Sequence, residues 1–452
     1  MRRALHALTI AALLAATGIA ATGDILDATD TVHLTMAAPL LELFSRATDA
    51  PDAAVTGQLT WQHPSGRSVT LSNVEVAERG HTSRQRSECA FPKLRLDLTG
   101  AQRDNTPFAG IDVLKIGTHC GDADDSTLTP KYGRLANERA PRREALVYRL
   151  VAAAGVPTLR ARPARITYDI ESDTARQSLT RYALLLEDDD EARRRLEATG
   201  EWDEATFGAA SIQFDPDVTA RLAFAEAMIG NFDWCLRMFP GDIYRCDDRH
   251  PLWNVLAFRV PGSKDLPLPY DFDLSGPVVG RHVWFPQIFD ERFADPPSSV
   301  HVEVLSQLQR TRSLFGRARL DATRAHFLQR RSAVMEAIDT ADVDETGRRL
   351  AHEYVDTFYD IIGADARFYQ PVVAEGGHTA FRDATGTQPA CGGRSLIPAG
   401  TPVSAPLERK GSFVRVRLLD ALWEWTGDNT CDAVRREPVW VDASAIGTEY
   451  PR

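Results

Sequence analysis

Residues 268–276 read Leu-Pro-Tyr-Asp-Phe-Asp-Leu-Ser-Gly, so two aspartates separated by one residue follow directly on an apolar segment. One interpretation is that Asp271 and Asp273 are turn residues ahead of Gly276, since aspartate and glycine favour turns. An Asp-x-Asp that follows an apolar strand is, however, more often a pair of ligands. Carboxylate oxygens suit Mg²⁺ or Mn²⁺ rather than zinc, so the two aspartates are predicted to hold such a cation.

A helix that leads into a polar loop is predicted upstream of this pair. Asp215-Pro216 is typical of an N-cap followed by proline at the first helical position, and Gly230 ends the helix. Asp233 lies in the following loop, Asn231-Phe-Asp-Trp234, and is interpreted either as part of a helix-exit turn or as a functional carboxylate. The neighbouring tryptophan and the later Asp-x-Asp favour the functional interpretation. Asn254 then precedes a predicted strand over residues 255–258.

Residues 24–110 are rich in segments that alternate apolar and polar residues, as half-buried strands do. The predicted strands are Val55–Trp61, Ser68–Val76, Leu94–Leu98 and Gly110–Ile116. Lys115 lies in the apolar run of the last strand. A lysine at that place is either an edge-strand residue with its ammonium group in water or a residue that faces a ligand.

A helix is predicted from Asn137 to Ala154, because apolar residues recur on one face and Gly155 and Pro157 then stop it. It carries Glu144, which could also form an ordinary ion pair on the helix surface. Predicted strands over residues 165–168 and 181–186 follow, and the second ends at Glu187. Residues 300–365 are predicted to be mostly helical.

The order of these features indicates a chemistry. Phosphoryl transfer from a nucleotide uses a lysine that neutralises phosphate oxygens and a helix glutamate that holds the lysine. It also uses an aspartate that accepts the proton of the attacking hydroxyl, and an asparagine and an aspartate that hold the metal. The chain offers these residue types in that order.

The same residues carry a family resemblance. The chain resembles the CotH-like family of atypical bacterial protein kinases, which are named for a spore-coat protein. The matching segments cover roughly residues 55–280, about half of the chain. They are Ala77–Arg84, Cys89–Leu96, Val113–Cys120, Arg143–Arg149, Gly230–Trp234, Trp253–Val255 and Pro269–Gly276. The resemblance implies an α+β, two-lobed, protein-kinase-like fold that binds ATP or another nucleotide between its lobes, with Mg²⁺ or Mn²⁺.

The resemblance also implies a role for each matching residue. Lys115 would contact the nucleotide phosphates, and Glu144, or else Glu138, would pair with that lysine. Glu187 would lie at the hinge near the adenine, and Arg79 and Gly80 would form the loop over the phosphates. Asp233 would be the catalytic base, and the metal would be held by Asn254, Asp271 and Asp273. The chain departs from ordinary kinases in two respects. Its phosphate loop has one glycine, and a stretch that includes Cys235–Cys246 separates Asp233 widely from Asn254.

The amino terminus is predicted to direct export. Residues 1–23 have a positive start at Arg2 and Arg3, an apolar run and small residues suited to cleavage, which are the parts of a secretory signal. An uncleaved membrane anchor is the alternative, but the run is short for a spanning helix. After cleavage no further transmembrane segment is predicted, so a bacterial periplasmic or secreted location is expected.

Cysteine usage fits an oxidising compartment. The chain has six cysteines and no Cys-x-x-Cys, and an even number in an exported protein suggests disulfides. Pairing of neighbours would give Cys89–Cys120, Cys235–Cys246 and Cys391–Cys431, although sequence alone does not fix the connectivity.

Bulk composition bounds the partners and the number of domains. The 452 residues are 43% hydrophobic and 25% charged, which is typical of a globular protein of two or three domains. A net charge of −11 argues against nucleic-acid binding, which needs a basic surface. The predicted organisation is a β-rich region to residue 135, a kinase-like α+β region over 136–372, a linker over 373–387 and a small β-barrel over 388–452.

The carboxyl-terminal segment has a resemblance of its own. Gly400–Val403, Gly411–Val416 and Val439–Ile446 resemble bacterial SH3-like domains. This implies a small all-β barrel that binds a cell-wall or envelope component or a partner protein, or that only packs against the rest of the chain.

Two functions follow from these observations. The first is an exported kinase-like enzyme that transfers phosphate from a nucleotide to a protein or another hydroxyl acceptor. The alternative is a non-catalytic kinase-like protein whose SH3-like module binds a component of the cell envelope.

Overall fold

The computed structural model describes residues 24–47, 50, 52–63, 65–124, 127–171, 176–202, 214–236, 252–280, 299–374, 378–390, 396–397, 399–418 and 437–449. The fold is mixed α+β, with a closed seven-stranded barrel followed by a helical region and short sheets. The predicted signal peptide over residues 1–23 lies outside the described residues.

The barrel contains the six strands predicted up to residue 187, together with a first strand over residues 32–38, for which no individual strand is predicted. Its strands are β1 Val32–Ala38, β2 Ala54–Gln62, β3 Ser68–Glu78, β4 Leu94–Asp97, β5 Val113–Gly117, β6 Ala161–Glu171 and β7 Arg176–Glu187. Their spatial order is β1-β2-β3-β4-β5-β7-β6, and the parallel pair β6–β1 closes the barrel. Apolar residues of alternate positions fill its interior, so the strand predictions are confirmed.

The helices pack in two cores, since the first helix lies on the barrel core and the other helices contribute to a second core. They are α1 Leu40–Arg46, α2 Arg139–Ala153, α3 Asp189–Arg195, α4 Pro216–Met228, α5 Gly276–Val279, α6 Ser299–Leu314, α7 Arg317–Asp339, α8 Glu345–Ile362 and α9 Asp365–Phe368. Asp215 caps α4 as predicted, because its Oδ1 accepts from the backbone N–H groups of Asp217 and Val218 at 2.9 and 3.0 Å. Within the described residues, no helix is long and apolar enough to cross a membrane.

Short strands complete the helical region. They are β8 Gly200–Glu201, β9 Cys235–Leu236, β10 Leu252–Trp253, β11 Val255–Arg259 and β12 Leu266–Pro269. The β11–β12 hairpin places Asn254 at its start and Asp271 just past its end, and the Tyr270 N–H donates to the carbonyl of Asn254 at 3.1 Å. The hairpin therefore brings the asparagine and the Asp-x-Asp together.

Packing around Tyr354 joins the two polar loops. A Cβ at Gly230, where φ is 56°, would collide with the Tyr354 ring, so only glycine fits this close approach. The Gly276 N–H donates to the carbonyl of Ile229 at 2.9 Å. The loop that carries Asp233 and the loop that carries Asp271 are therefore fixed against each other by buried contacts.

The last part of the chain forms small sheets over a separate apolar cluster. The strands are β13 Val372–Val373, β14 His378–Thr379, β15 Leu396–Ile397, β16 Glu408–Lys410, β17 Phe413–Val416, β18 Val439–Asp442 and β19 Ile446–Gly447. β17 and β18 lie in the segments Gly411–Val416 and Val439–Ile446, for which a small all-β structure is expected. Val373 and Ala380, from the predicted linker, pack in the same cluster as Val414 and Val441. The domain boundary near residue 388 stays a prediction.

The predicted Cys89–Cys120 disulfide is present. Cys235 is also disulfide-bonded, and Cys246, Cys391 and Cys431 lie outside the described residues. The Cys89–Cys120 bond ties the β3–β4 loop to the residues after β5, where the Phe91 N–H donates to the Cys120 carbonyl at 2.9 Å. It therefore fixes the chain directly before residue 93.

Removal of this disulfide should destabilise the protein. The bond closes a loop with a sequence separation of 31 residues, and the chain-entropy model gives about 3–4 kcal/mol for a loop of that size. We expect the double variant Cys89→Ala/Cys120→Ala to lose about this much unfolding free energy in urea titrations. A reductant should then lower the unfolding free energy of the double variant less than it lowers that of the wild type. Equal decreases for the two proteins would contradict the prediction.

His119 should make stability depend on pH. It is buried against Phe91, with ring centroids 4.6 Å apart, and burial lowers its pKa from 6.5 to about 4. The unfolded chain therefore binds more protons than the folded chain between these values, so stability falls as pH drops from 6.5 toward 4. The full effect is about 3 kcal/mol. Urea titrations at pH 4 and pH 7 should show a smaller pH difference for His119→Phe than for the wild type.

Candidate functional site

Lys93 joins the two aspartates of the Asp-x-Asp pair. It lies directly before β4, and its Nζ is 2.7 Å from Asp271 Oδ1 and 2.8 Å from Asp273 Oδ2. The Lys93 and Asp273 side chains are buried, whereas the Asp271 side chain is 32% exposed. Burial raises the pKa of Asp271, but Lys93 and Arg134 outweigh it and lower that pKa to about 2. Asp271 is therefore an ionised carboxylate that remains open to a ligand.

Arg134 supplies a second cation at the same place. Its Nη1 forms an ion pair with Asp273 Oδ2, and its side chain is 7% exposed. Nη2 donates to Thr82 Oγ1 at 2.7 Å. No sequence pattern singled out this arginine, which lies in the irregular segment between β5 and α2.

Glu144 projects from α2 into this cluster. Burial raises its pKa, and the charges that act on it come from Lys93, Asp271, Arg79 and Arg134. The helix glutamate thus lies within electrostatic range of Lys93, whose ion pairs are with Asp271 and Asp273. Glu138, the alternative, lies at the exposed start of α2, where its Oε2 accepts from the Tyr182 N–H at 3.4 Å.

Asp233 is held by two neighbours from the β10–β11 segment. Trp253 Nε1 donates to Asp233 Oδ1 at 3.0 Å, and Asn254 Nδ2 donates to Oδ2 at 3.0 Å. Burial and the charge of Asp271 raise the pKa of Asp233, while Trp253, Arg134 and Asn254 oppose the shift. A carboxylate that is fixed in orientation and more basic than usual is suited to accept a proton. Despite the long intervening segment, Asn254 reaches Asp233.

Two of these residues have a left-handed backbone. Asp271 has φ of 58° and Asn254 has φ of 52°, a conformation that aspartate and asparagine adopt more readily than other residues with a side chain. The Asp271 N–H donates to the Tyr148 hydroxyl oxygen at 3.0 Å. This contact helps to fix the backbone of Asp271 against α2.

The loop that begins at Arg79 is compact. Gly80 has φ of 89°, and a Cβ there would collide with Ser83 Oγ, so the single glycine is required by the turn. Ser83 Oγ donates to the Arg79 carbonyl at 3.1 Å, and the Arg79 N–H donates to the Lys93 carbonyl at 2.9 Å. The loop is thus fastened to the residue that contacts both aspartates.

Lys115 does not join the cluster of charges around Lys93. Its Nζ is 2.6 Å from Asp189 Oδ1 and 3.4 Å from Asp188 Oδ2. The reason is register: Lys115 pairs with Leu186, near the end of β7, whereas Leu94 after Lys93 pairs with Ile116. The structure therefore places Lys93, and not Lys115, in contact with Asp271 and Asp273 and among the charges that act on Glu144.

Glu187 is fully buried at the end of β7. Its carboxylate accepts from Arg160 Nε at 2.8 Å and from Arg195 Nη2 at 2.7 Å, and these arginines lower its pKa against the opposing effect of burial. The side chain thus fixes the connection between β7 and α3. Because its carboxylate is occupied by the two arginines, a contact with the adenine of a nucleotide would have to come from the main chain.

The donor set suits a cation that arrives with a nucleotide. Among the described residues, no three His, Cys, Asp or Glu side chains form a metal cluster, and Lys93 and Arg134 already neutralise Asp273. Mg²⁺ is, however, commonly held by one or two carboxylates together with substrate phosphates and water. The partly exposed Asp271 and the buried, unpartnered Oδ1 of Asp273 fit that arrangement within the described part of the chain.

Comparisons with known proteins give little further information. No protein-family model matches the chain, and no curated protein matches it. Among solved structures, the chain is similar to the proinflammatory kinase CtkA of Helicobacter pylori, with 10% identity and a TM-score of 0.29 over 60% of this chain and 87% of that one.

Proposed function

We propose that the protein is an exported, kinase-like phosphotransferase that binds a nucleotide between the barrel and the helical region. The observation that carries this proposal is the contact of Lys93 with both Asp271 and Asp273, next to Glu144 and within electrostatic range of Asp233. A lysine, a helix glutamate, a proton acceptor and an Asp-x-Asp are the parts that phosphoryl transfer requires.

The roles follow from the geometry of the cluster. Lys93 neutralises phosphate oxygens, and Glu144 orients its ammonium group from α2. Asp233 accepts the proton of an acceptor hydroxyl, because Trp253 and Asn254 fix its carboxylate and its pKa is raised. The loop at Arg79 and Gly80 covers the phosphates. Lys115 and the main chain after Glu187 lie on the side of the cleft where the base would bind.

The proposed metal site consists of Asp271, Asp273 and Asn254. A divalent cation bound there would neutralise charge on the phosphate oxygens. Asp271 is ionised and accessible, and the amide oxygen of Asn254 remains available because its Nδ2 makes the bonds to Asp233. Cation binding should therefore depend on the nucleotide.

Calorimetry with Mn²⁺ and ATP or GTP tests this function. The wild type should bind nucleotide only with the divalent cation, and Asp271→Asn should weaken binding at least about tenfold, because an amide cannot replace the carboxylate charge. The control is Asp342→Asn. Asp342 is an exposed aspartate outside the site, and its Oδ1 is 2.6 Å from Arg142 Nη2. A wild type without metal-dependent affinity for either nucleotide at millimolar concentration would overturn the proposal.

A non-catalytic binding protein is the second candidate. The observation that favours it is the neutralisation of Asp273 by Lys93 and Arg134, which resembles a closed salt-bridge network more than an open metal site. In this case the carboxyl-terminal sheets would form an SH3-like module that binds an envelope component. A wild type without metal-dependent nucleotide affinity, in which substitution of Asp271 or Asp233 does not affect function, would favour this candidate.

A further inference from the structure

Arg134 occupies a fixed position between β5 and α2. Its backbone is held by a reciprocal pair: the Arg134 N–H donates to Thr129 Oγ1 at 2.9 Å, and the Thr129 N–H donates to the Arg134 carbonyl at 2.9 Å. Because the backbone of Arg134 is fixed, only its side chain can change partners, by a rotation that redirects the guanidinium group. That group points at the cluster described above.

The guanidinium group bridges two parts of the cleft. One nitrogen contacts Thr82, in the loop that starts at Arg79, and another pairs with Asp273. Asp273 lies in the helical region and Thr82 in the barrel, so Arg134 connects the two across the proposed nucleotide site. A change at one end is therefore transmitted to the other through a single planar group.

Apart from Arg134 Nη1, which forms the ion pair with Asp273, three buried polar atoms of this cluster have no hydrogen-bond partner among the described residues. They are Nε of Arg134, Nε of Arg79 and Oδ1 of Asp273. Buried charged groups are normally fully hydrogen-bonded, and orphaned atoms of both signs in one cluster point to partners supplied by a ligand. Phosphate oxygens accept from guanidinium groups, and a cation or water would satisfy the carboxylate.

The charges of the cluster favour exchange of partners. Lys93, Arg79 and Arg134 act on Glu144 and Asp271, and two of these three cations also contact Asp273. A polyphosphate that enters the cluster competes with Asp273 for these cations, because it offers more negative charge and more acceptor oxygens. Asp273 would then be released to hold the divalent cation that accompanies the phosphates.

We propose that Arg134 is a phosphate-responsive latch. On nucleotide binding, its guanidinium group exchanges Asp273 for the polyphosphate while it keeps Thr82. The exchange holds the loop over the phosphates and makes Asp273 available to the cation. This inference rests on the proposed nucleotide site and assigns Arg134 and Thr82 positioning roles within it.

The test uses the full chain with Mn²⁺ and two nucleotides, the non-hydrolysable ATP analogue adenylyl imidodiphosphate and AMP. Affinities come from calorimetry, and hydrogen exchange reports on residues 79–91. The variants are Arg134→Met, Arg134→Lys and Thr82→Val. The control is Lys131→Met, which removes an exposed positive charge from the same segment. Lys131 contacts Gln85 at 3.5 Å and the ring of Tyr132.

We expect Arg134→Met to weaken binding of the triphosphate analogue at least tenfold, to change AMP affinity less than twofold, and to abolish ligand-induced protection of residues 79–91. Thr82→Val should lose the protection with a smaller loss of affinity, and Arg134→Lys should restore affinity in part. Lys131→Met should resemble the wild type. Melting curves show whether each variant folds. If Arg134→Met does not fold, the affinity and protection of Thr82→Val and Arg134→Lys decide whether the latch exists.

Two other results are distinguishable. If the wild type binds the analogue and Arg134→Met binds it equally with the same protection, the latch is overturned while the nucleotide site stands. If the wild type binds neither nucleotide, the proposed function and the latch are both overturned.

Discussion

Replacement of Lys93 by methionine should remove most of the metal-dependent nucleotide affinity and lower phosphate transfer at least about a hundredfold, the usual scale for loss of one electrostatic contact to a transition state. Lys93 is the ammonium group that contacts both Asp271 and Asp273. Methionine keeps the length of the side chain but removes the charge that faces the phosphates. Calorimetry and transfer of labelled phosphate measure the two effects.

Lys115→Met is the matched control for this experiment. Lys115 lies on β5, next to the strand that follows Lys93, but pairs with Asp189 and Asp188, so its loss should change nucleotide affinity by a smaller factor and should not act through Asp271. Lys93→Arg should recover part of the affinity. If Lys115→Met abolishes binding and Lys93→Met leaves it intact, Lys115 is the phosphate-binding lysine, as the sequence resemblance implies.

Asp233→Asn should lower phosphate transfer at least about a hundredfold while nucleotide affinity stays within a few-fold of the wild type. The carboxylate accepts from Trp253 and Asn254 and its raised pKa suits a proton acceptor. An amide at this position keeps the size and can accept one of the two side-chain hydrogen bonds, but it cannot accept the proton. Single-turnover measurements with saturating nucleotide separate transfer from binding.

The acid limb of the transfer rate provides a second readout. Because burial and Asp271 raise the pKa of Asp233, activity should be lost on acidification above the usual aspartate value of 3.8, and Asp233→Asn should lack this limb. Trp253→Phe removes one donor to the carboxylate, so it should lower transfer less than Asp233→Asn does. An Asp233→Asn variant with unchanged transfer would exclude Asp233 as the base.

Local patterns carried most of the architecture. The alternation in residues 55–61 and 68–76 and the N-cap at Asp215 depend on neighbours a few positions away, so they could be recognised from sequence. Closure of the barrel by the parallel pair β6–β1 joins strands more than a hundred residues apart, and no periodicity specifies that pairing. The bounds of β5 differ because Gly110 forms a turn at φ of 81°.

The candidate site divides in the same way. The sequence by itself determined that Asp271 and Asp273 follow a strand and that Asp233 follows a helix. It also showed that Cys89 and Cys120 are consecutive cysteines of the chain. Each of these statements concerns segments that are close along the chain. Only the tertiary structure decided that Lys93 meets aspartates 178 and 180 positions away, and that Arg134 completes the cluster. The direction of the Lys93 side chain depends on the register of β4 with β5. The partners of a charged side chain depend on distances in space. A pattern along the chain contains neither the register nor these distances.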